Sequence, residues 1–216
     1  MCESLAALFD LDGVIFDTER HYKILFDEIG QKYCPEHPNF ANETMGMSDE
    51  KVLQKYFAGR EHLHQVILDL IADYDETLPL DYIDGFMEFV QDLKKHNVKI
   101  AIVTSSYMRK MKIVFSKHPE LEQLIDTLVT PDKAPISKPD PLCYLTAAKE
   151  LGVLPENCFV FEDSFNGISS GRSAKMNVIG LTTTNSADSI RSKCDIILDN
   201  FVGFTFDKMI ELKNAK

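Results

Sequence analysis

The sequence predicts an α/β protein with a doubly wound parallel sheet and a helical domain inserted after its first strand. After residue 82, short apolar runs alternate with amphipathic helical patterns. Between the first apolar run and this alternation, residues 16–81 are helical in pattern almost throughout. Repeated strand–helix units specify a parallel sheet with helices on both faces. We therefore expect a core formed by residues 1–15 and 82–216, and an inserted helical domain formed by residues 16–81.

The individual elements follow from local periodicity. Strands are expected where short apolar runs end in polar residues or glycine, and helices where apolar residues recur at i, i+3, i+4 and i+7, as from Tyr22 to Ile29. The expected strands are 5–9, 99–103, 128–129, 159–161, 178–181 and 196–198. The expected helices are 19–33, 52–57, 63–71, 86–96, 108–115, 142–151 and 166–174, and residues 34–42 are expected to form a loop.

The composition excludes several classes of partner. The chain has 216 residues, 44% of them hydrophobic, and a formal net charge of −11 at pH 7. Binding to nucleic acid or to an anionic membrane needs a basic surface, so neither partner is expected. No apolar run approaches the ~20 residues of a membrane span, and no signal peptide is visible.

The cysteines favour a cytoplasmic location. They are five in number and widely spaced, and no pair has the spacing of metal ligands, so reduced thiols are expected. The cysteines are Cys2, Cys34, Cys143, Cys158 and Cys194.

The acidic charge and the lack of a coiled-coil repeat are compatible with a monomer. We therefore expect the protein to be monomeric.

Two aspartates directly follow the first strand. Alternate residues of an extended chain point the same way, so Asp10 and Asp12 would project side by side from its carboxyl end. Open α/β sheets bind their ligands at that end. Neighbouring carboxylates repel each other unless a cation lies between them or one takes up a proton. The pair predicts a divalent metal, an acid/base role, or both.

Polar residues also follow three later strands. The hydroxyl of Thr104 and the amide of Ser105 suit a phosphoryl group at a helix start. Lys138 lies in a loop with flanking prolines, where its ammonium could offset phosphoryl charge. Glu162 and Asp163 end a strand and could complete an oxygen-rich magnesium site. Each feature alone is also explained by helix capping or a surface turn, but their shared position indicates a site.

The string F-D-L-D-G-V-I-F-D-T-E, residues 9–19, closely resembles the first motif of the haloacid dehalogenase (HAD) superfamily. The four polar groups arrive in the order of that superfamily's four motifs. The insertion at residues 16–81 lies where helical caps occur in it. The chain looks most like its branch of small phosphatases and sugar-phosphate mutases, such as β-phosphoglucomutase and pseudouridine-5'-phosphatase. This resemblance implies a Rossmann-like core and a helical cap.

The resemblance also implies roles for the residues that match the motifs. Asp10 would be the nucleophile that becomes an aspartyl-phosphate, and Asp12 the general acid and base. Mg²⁺ would be held by the Asp10 carboxylate, the Asp12 backbone carbonyl and Asp163. Glu162 would orient the waters on the metal.

Three further residues would bind the phosphoryl oxygens. They are Thr104, the amide of Ser105, and Lys138. The presence of Asp12 favours phosphoryl transfer, because the dehalogenases of the superfamily lack an aspartate at that position and need no proton donor for a halide.

The cap distinguishes hydrolysis from phosphoryl transfer back to a sugar. Similar mutases carry a histidine at the position of Tyr22 and the sequence Lys-Gly-x-Ser-Arg at positions 45–49. Here residues 45–49 are Met-Gly-Met-Ser-Asp, so Met45 and Asp49 replace the basic residues that would hold a second phosphate. We therefore expect a phosphatase, with Tyr22, Gly46, Met47 and Ser48 selecting the substrate.

The expected reaction is magnesium-dependent hydrolysis of a small phosphorylated metabolite, the phosphate monoester of a sugar, nucleoside or polyol. A β-phosphoglucomutase-like mutase is the alternative. A phosphoacceptor signalling module, which uses similar residues, is a third candidate, but such a domain would be shorter and would lack the helical insertion.

Overall fold

The computed structural model describes residues 4–214, with the side chains of residues 4–213, so Cys2 lies outside the described residues. Six strands and eleven α-helices alternate along this part of the chain. The strands are β1 (Ala6–Phe9), β2 (Lys99–Val103), β3 (Thr127–Val129), β4 (Cys158–Glu162), β5 (Asn177–Leu181) and β6 (Ile196–Leu198). The helices are α1 (Glu19–Tyr33), α2 (Phe40–Thr44), α3 (Asp49–Tyr56), α4 (His64–Thr77), α5 (Phe86–Lys95), α6 (Met108–Lys117), α7 (Pro119–Leu124), α8 (Leu142–Leu151), α9 (Phe165–Ser173), α10 (Ala187–Ile190) and α11 (Phe206–Asn214).

The strands form one parallel sheet in the order β3-β2-β1-β4-β5-β6, which confirms the predicted fold class. The chain runs outward from β1 to β3 and then returns to build β4 to β6 on the other side. The order therefore reverses between β1 and β4, and such a switch point opens a crevice at the carboxyl ends of the strands. Phe9 ends β1 there, in register with Ile102 of β2 and Phe161 of β4.

Two apolar layers cover the two faces of the sheet. Because β1 is buried on both faces, Ala7 and Phe9 belong to one layer, while Ala6 and Leu8 belong to the other. The layer around Phe9 is rich in aromatic rings, including Phe161 stacked on Phe9 with the ring centroids 4.5 Å apart. This packing supports the strand end from which the first aspartates project.

The inserted helices α1–α4 lie between β1 and α5. The chain leaves the sheet and returns to it at one point, where Phe16 and Tyr82 form an isolated antiparallel bridge and their rings stack at 4.8 Å. The division into a core (1–15 and 82–216) and a cap (16–81) stays a prediction. Among residues 4–214, no helix has the length and the apolar character of a membrane span.

The prediction of a loop at residues 34–42 was wrong at its end, because α2 begins at Phe40. Phe40 is buried and its ring packs edge-on against those of Phe26 and Tyr56. A helix of five residues is too short to show a period, so it is stabilised by this packing rather than by an amphipathic pattern. The short helices α7 and α10, and the terminal helix α11, were not predicted either.

Candidate active site

Asp10 and Lys138 meet at the switch point between β1 and β4. The Lys138 ammonium donates to Asp10 Oδ1 at 2.5 Å and to Glu162 Oε1 at 2.6 Å. Burial raises the pKa of Asp10 to about 7, with Lys138 opposing the rise and Glu162 adding to it. Burial disfavours the charged form of Lys138, but Asp10 and Glu162 outweigh this effect and raise the pKa of Lys138. The structure thus brings a carboxylate and a persistent cation into direct contact.

Asp163 completes a cluster of carboxylates beside this pair. Oxygen atoms of Asp10, Glu162 and Asp163 lie within 4.8 Å of one another. Asp163 is buried and accepts a hydrogen bond from the Thr184 hydroxyl. Burial, followed by the charges of Glu19, Glu162 and Asp10, raises the pKa of Asp163 well above its ordinary value. These oxygens are the ligands that hard divalent cations prefer.

Glu19 adds a further carboxylate, which the sequence analysis quoted in the motif but gave no role. Its Oε2 atom is buried without a hydrogen-bond partner among the described residues. Burial and the charges of Asp12 and Asp10 raise the pKa of Glu19 to about 8. Gly13 makes this crowding possible, because a Cβ atom there would collide with Asp163 and Glu19.

Glu162 is held by donors on both of its oxygens. Oε1 accepts from Lys138 and, at 2.7 Å, from the Tyr144 hydroxyl. Oε2 accepts from the Ser164 hydroxyl at 3.1 Å. Gly167 leaves the room for this arrangement, since any Cβ atom there would overlap the carboxylate of Glu162. Glu162 therefore orients the ammonium group of Lys138. Because both of its carboxylate oxygens already accept hydrogen bonds, they are poorly placed to bind a metal as well.

Asp12 is surrounded by donors on the other side of Asp10. Lys110 on α6 donates to both of its oxygens at 2.6 Å. The Thr18 hydroxyl donates to Oδ1 at 2.6 Å, and the Ser106 hydroxyl to Oδ2 at 3.2 Å. Thr18 stands at the N-cap of α1, but its side chain makes no capping bond and donates to Asp12 instead.

The predicted phosphate-binding residues lie at the same edge of the sheet. Thr104 follows β2, is buried, and accepts a hydrogen bond on its hydroxyl from the Ser106 amide at 3.0 Å. Ser105 and Lys138 line the same cavity as Thr104. Ser164, which follows Asp163, caps α9 by accepting from the Gly167 amide at 3.0 Å.

A cavity of about 530 Å³ rises from these residues into the inserted helices. Three of the residues predicted to select the substrate, Tyr22, Gly46 and Met47, line it, whereas the fourth, Ser48, lines a smaller adjoining cavity of about 260 Å³. Their role in selection stays a prediction. The Tyr22 hydroxyl donates to Asp75 at 2.5 Å. Further cavity-lining residues from the inserted helices are Phe26, Thr44, Met45, Asp49, Glu50, Leu53, Gln65, Leu68, Asp69, Ile71, Ala72 and Asp75.

The inserted helices are closed over the site. Lys51 on α3 donates to the backbone carbonyl of Lys138 at 2.7 Å. Gly46 has a φ of +72°, and a Cβ atom there would lie 3.0 Å from the Cβ atom of Ser164. Asp75 on α4 pairs with Arg109 on α6 at 2.8 Å. The inserted helices therefore form the top of the cavity, and the residues that follow the strands form its base.

A family model of haloacid dehalogenase-like hydrolases matches residues 7–181. The chain belongs to this family. Hexitol phosphatase B of Escherichia coli K12 is 29% identical over 187 residues, which cover 81% of this chain and 82% of the relative. β-Phosphoglucomutase of Bacillus subtilis is 30% identical over 194 residues, 82% of each chain.

Solved structures agree on the fold of this HAD-like hydrolase. A family IA HAD hydrolase from Entamoeba histolytica superposes with a TM-score of 0.83 over 97% of this chain and 99% of that chain, at 22% identity. The relatives include both phosphatases and a mutase. The comparisons therefore support a sugar-phosphate phosphatase or mutase of the HAD family.

The donor set of this HAD-like hydrolase fits a metal cation. Enzymes of the family are generally metal-dependent, and Asp10 and Asp163, which cluster with Glu162, offer oxygen ligands. Near them lie Glu19, with its unpartnered oxygen, and Asp12, whose charge is already offset by Lys110. Lys138 contacts Asp10 and Glu162, while the pKa values of Glu19 and Asp163 are raised by the neighbouring acids, so a bound cation would relieve the repulsion among these carboxylates.

The residues that the sequence analysis missed are Glu19, Asp75, Arg109 and Lys110. A lysine or arginine on an amphipathic helix is normally a solvated residue, so α6 carried no local signal. Glu19 stood within the recognised motif, and that position was the one available sign of its place in the site.

Proposed function

We propose that this chain is a magnesium-dependent phosphatase that hydrolyses a small phosphate monoester through an aspartyl-phosphate on Asp10. The observation that carries the proposal is the contact of Asp10 with Lys138, beside Asp163, on the floor of the closed cavity. A nucleophile with a fixed cation and nearby metal ligands suits a substrate that brings its own negative charge.

In the first step, Asp10 attacks the phosphorus atom and the bond from phosphorus to the leaving oxygen breaks. Asp12 gives a proton to that oxygen, so the product leaves as an alcohol. In the second step, Asp12 takes a proton from a water molecule that attacks the phosphoaspartate. Inorganic phosphate leaves and Asp10 is restored. Thr104, the Ser105 amide and Lys138 hold the non-reacting oxygens.

Asp10, the Asp12 backbone carbonyl and Asp163 would hold Mg²⁺. When bound, it supplies charge that offsets the repulsion between the attacking carboxylate and the phosphate. Glu162, whose oxygens are occupied by Lys138, Tyr144 and Ser164, contributes by orienting the lysine and the loop that carries Asp163.

The cap supports hydrolysis over phosphoryl transfer to a sugar. Tyr22, Met45 and Asp49 all line the cavity, at positions where similar mutases have a histidine, a lysine and an arginine. A second phosphate at Asp49 would meet an anion instead of a cation. Mutase activity is the second candidate, because one relative of comparable identity is a β-phosphoglucomutase. The closed cap over the nucleophile disfavours a signalling module, which needs access for a protein partner.

The proposal also includes the cytoplasmic location and the monomeric state expected from composition. Its test is phosphate release, with Mg²⁺, from sugar, nucleotide, pseudouridine and polyol phosphates, with β-glucose 1-phosphate followed also for isomerisation. Asp10→Asn, purified in parallel, gives the blank for contaminating phosphatases. Release that depends on Asp10 supports the proposal. Isomerisation without release favours the mutase, and the absence of both reactions contradicts the proposed enzyme class.

A further inference from the structure

Asp49 is the first residue of α3, and its carboxylate lines the cavity above the nucleophile. Among the described residues, no donor lies within hydrogen-bond or ion-pair distance of this carboxylate. Its neighbour Asp75 differs, because Asp75 accepts from the Tyr22 hydroxyl at 2.5 Å and from Arg109 at 2.8 Å. The carboxylate oxygens of Asp49 can thus accept hydrogen bonds from a ligand in the cavity.

The cations around Asp49 are already paired with other acids. Lys110 binds both oxygens of Asp12, and Arg109 binds Asp75. The pKa of Asp49 is raised to about 6 by burial and by the charge of Asp75, while Lys110 and Arg109 oppose the rise. At neutral pH, Asp49 is therefore a partly buried, ionised group, and hydroxyl donors from a ligand would stabilise it.

The inserted helices contribute apolar walls to the cavity that Asp49 lines. Met45, Met47 and Leu53 line this part of the cavity, together with Phe26 and Leu68. Such a surface accepts the C–H faces of a sugar or polyol. The cations that line the cavity beside it, Arg109 and Lys110, are already paired with Asp75 and Asp12, so neither is free to bind a second phosphate or a carboxylate. The combination of one unpaired acid and apolar walls matches an alcohol that carries hydroxyl groups and no charge of its own.

We propose that Asp49 is a specificity-determining residue that accepts hydrogen bonds from the hydroxyl groups of an uncharged, polyhydroxylated leaving group, and that repels a second anionic group at that end. The inference rests on the proposed phosphatase function and adds the part of the substrate that the cap recognises. Asp49 takes no part in the transfer of the phosphoryl group.

The test compares kcat and KM, with Mg²⁺, for three substrates. They are a hexitol monophosphate, p-nitrophenyl phosphate, whose leaving group has no further hydroxyl, and fructose 1,6-bisphosphate. Wild type is compared with Asp49→Asn, which keeps the size and removes the charge. Asp73→Asn, on the exposed side of the same cap, is the matched control.

We expect Asp49→Asn to lower kcat/KM for the hexitol monophosphate by about tenfold or more, mainly through KM, since a hydrogen bond to a charged group is lost in substrate and transition state alike. For p-nitrophenyl phosphate the change should stay within about twofold. The preference of wild type for the monophosphate over the bisphosphate should shrink in the variant, because repulsion of the second anion is removed.

Three results would overturn the inference. They are an unchanged KM for the hexitol monophosphate in Asp49→Asn, an equal loss on all three substrates, and a wild-type preference for the bisphosphate. The phosphatase proposal survives each of them, provided that p-nitrophenyl phosphate is hydrolysed in an Asp10-dependent manner. Failure of wild type on every substrate, in contrast, would overturn both proposals together.

Discussion

Lys110 donates to both carboxylate oxygens of Asp12, at 2.6 Å each, and its ammonium also lies 4.5 Å from the centre of the Tyr22 ring. The lysine therefore joins the expected general acid of the core to the first helix of the insertion. It comes from α6, far along the chain from either partner, and it is almost fully buried.

We expect Lys110→Met to lower kcat by about tenfold or more. Without the lysine, Asp12 loses its cation and keeps only the hydroxyl donors of Thr18 and Ser106, so its orientation towards the leaving oxygen is held less firmly. Steady-state kinetics on p-nitrophenyl phosphate would measure the effect. Lys112→Met, which changes an exposed lysine on the same helix, is the control and should leave kcat unchanged. Equal activity in both variants would remove Lys110 from the site.

Asp10→Asn should abolish turnover without loss of the fold. The amide has nearly the same shape, but it cannot attack phosphorus, so kcat should fall to the blank. Phosphate release measures the activity, and circular dichroism with a thermal melt checks the fold. Removing the charge of Asp10 leaves Lys138 paired with Glu162, so the lysine keeps a charged partner in the variant. Turnover near that of wild type would exclude Asp10 as the nucleophile.

Removal of divalent cations with EDTA should silence the enzyme, and Mg²⁺ should restore it. Magnesium should also raise the melting temperature of the protein, since a cation offsets the repulsion among Asp10, Glu19 and Asp163. Asp163→Asn should remove the rise in melting temperature as well as the activity. Full activity in metal-free buffer would contradict the magnesium assignment.

Asp49→Asn should stabilise the protein at neutral pH while it impairs recognition of the substrate. The folded-state pKa of Asp49 is about 6, above the ordinary value of 3.8, so the folded protein binds this proton more tightly than the unfolded chain does. The contribution of Asp49 to the free energy of unfolding therefore falls as pH rises from about 4 to about 6, and it stays low above that range.

The neutral asparagine escapes this loss, so the variant should exceed wild type at pH 7 by about 1–3 kcal/mol, with no difference near pH 4. Urea unfolding at the two pH values, on metal-free protein, measures the change. Asp73→Asn again serves as the control and should give equal curves. If the variant has the stability of wild type at pH 7, the carboxylate of Asp49 is more solvated than it is in the structure, and the prediction is wrong.

The sequence predicted those site residues whose place in the chain, at the end of a strand, determines their place in the fold. Asp10, Thr104, Lys138 and Asp163 follow strands or lie in a strand-end loop, and the carboxyl ends of parallel strands share one edge. Asp75, Arg109 and Lys110 could not be found in this way. Their roles arise from the docking of α4 and α6 across the cavity, and local patterns do not encode such contacts.

The sequence by itself determined the parallel sheet, the helical insertion and the order of the acidic, hydroxyl and lysine groups at the strand ends, because periodicity and chain order suffice for these. Only the tertiary structure decided which charges are paired and which are not. In it, Lys110 pairs with Asp12 and Arg109 pairs with Asp75, while no donor among residues 4–213 reaches the carboxylate of Asp49 or one oxygen of Glu19. The reason is physical, since pairing depends on distances of 3 Å or so between side chains that are remote in the chain.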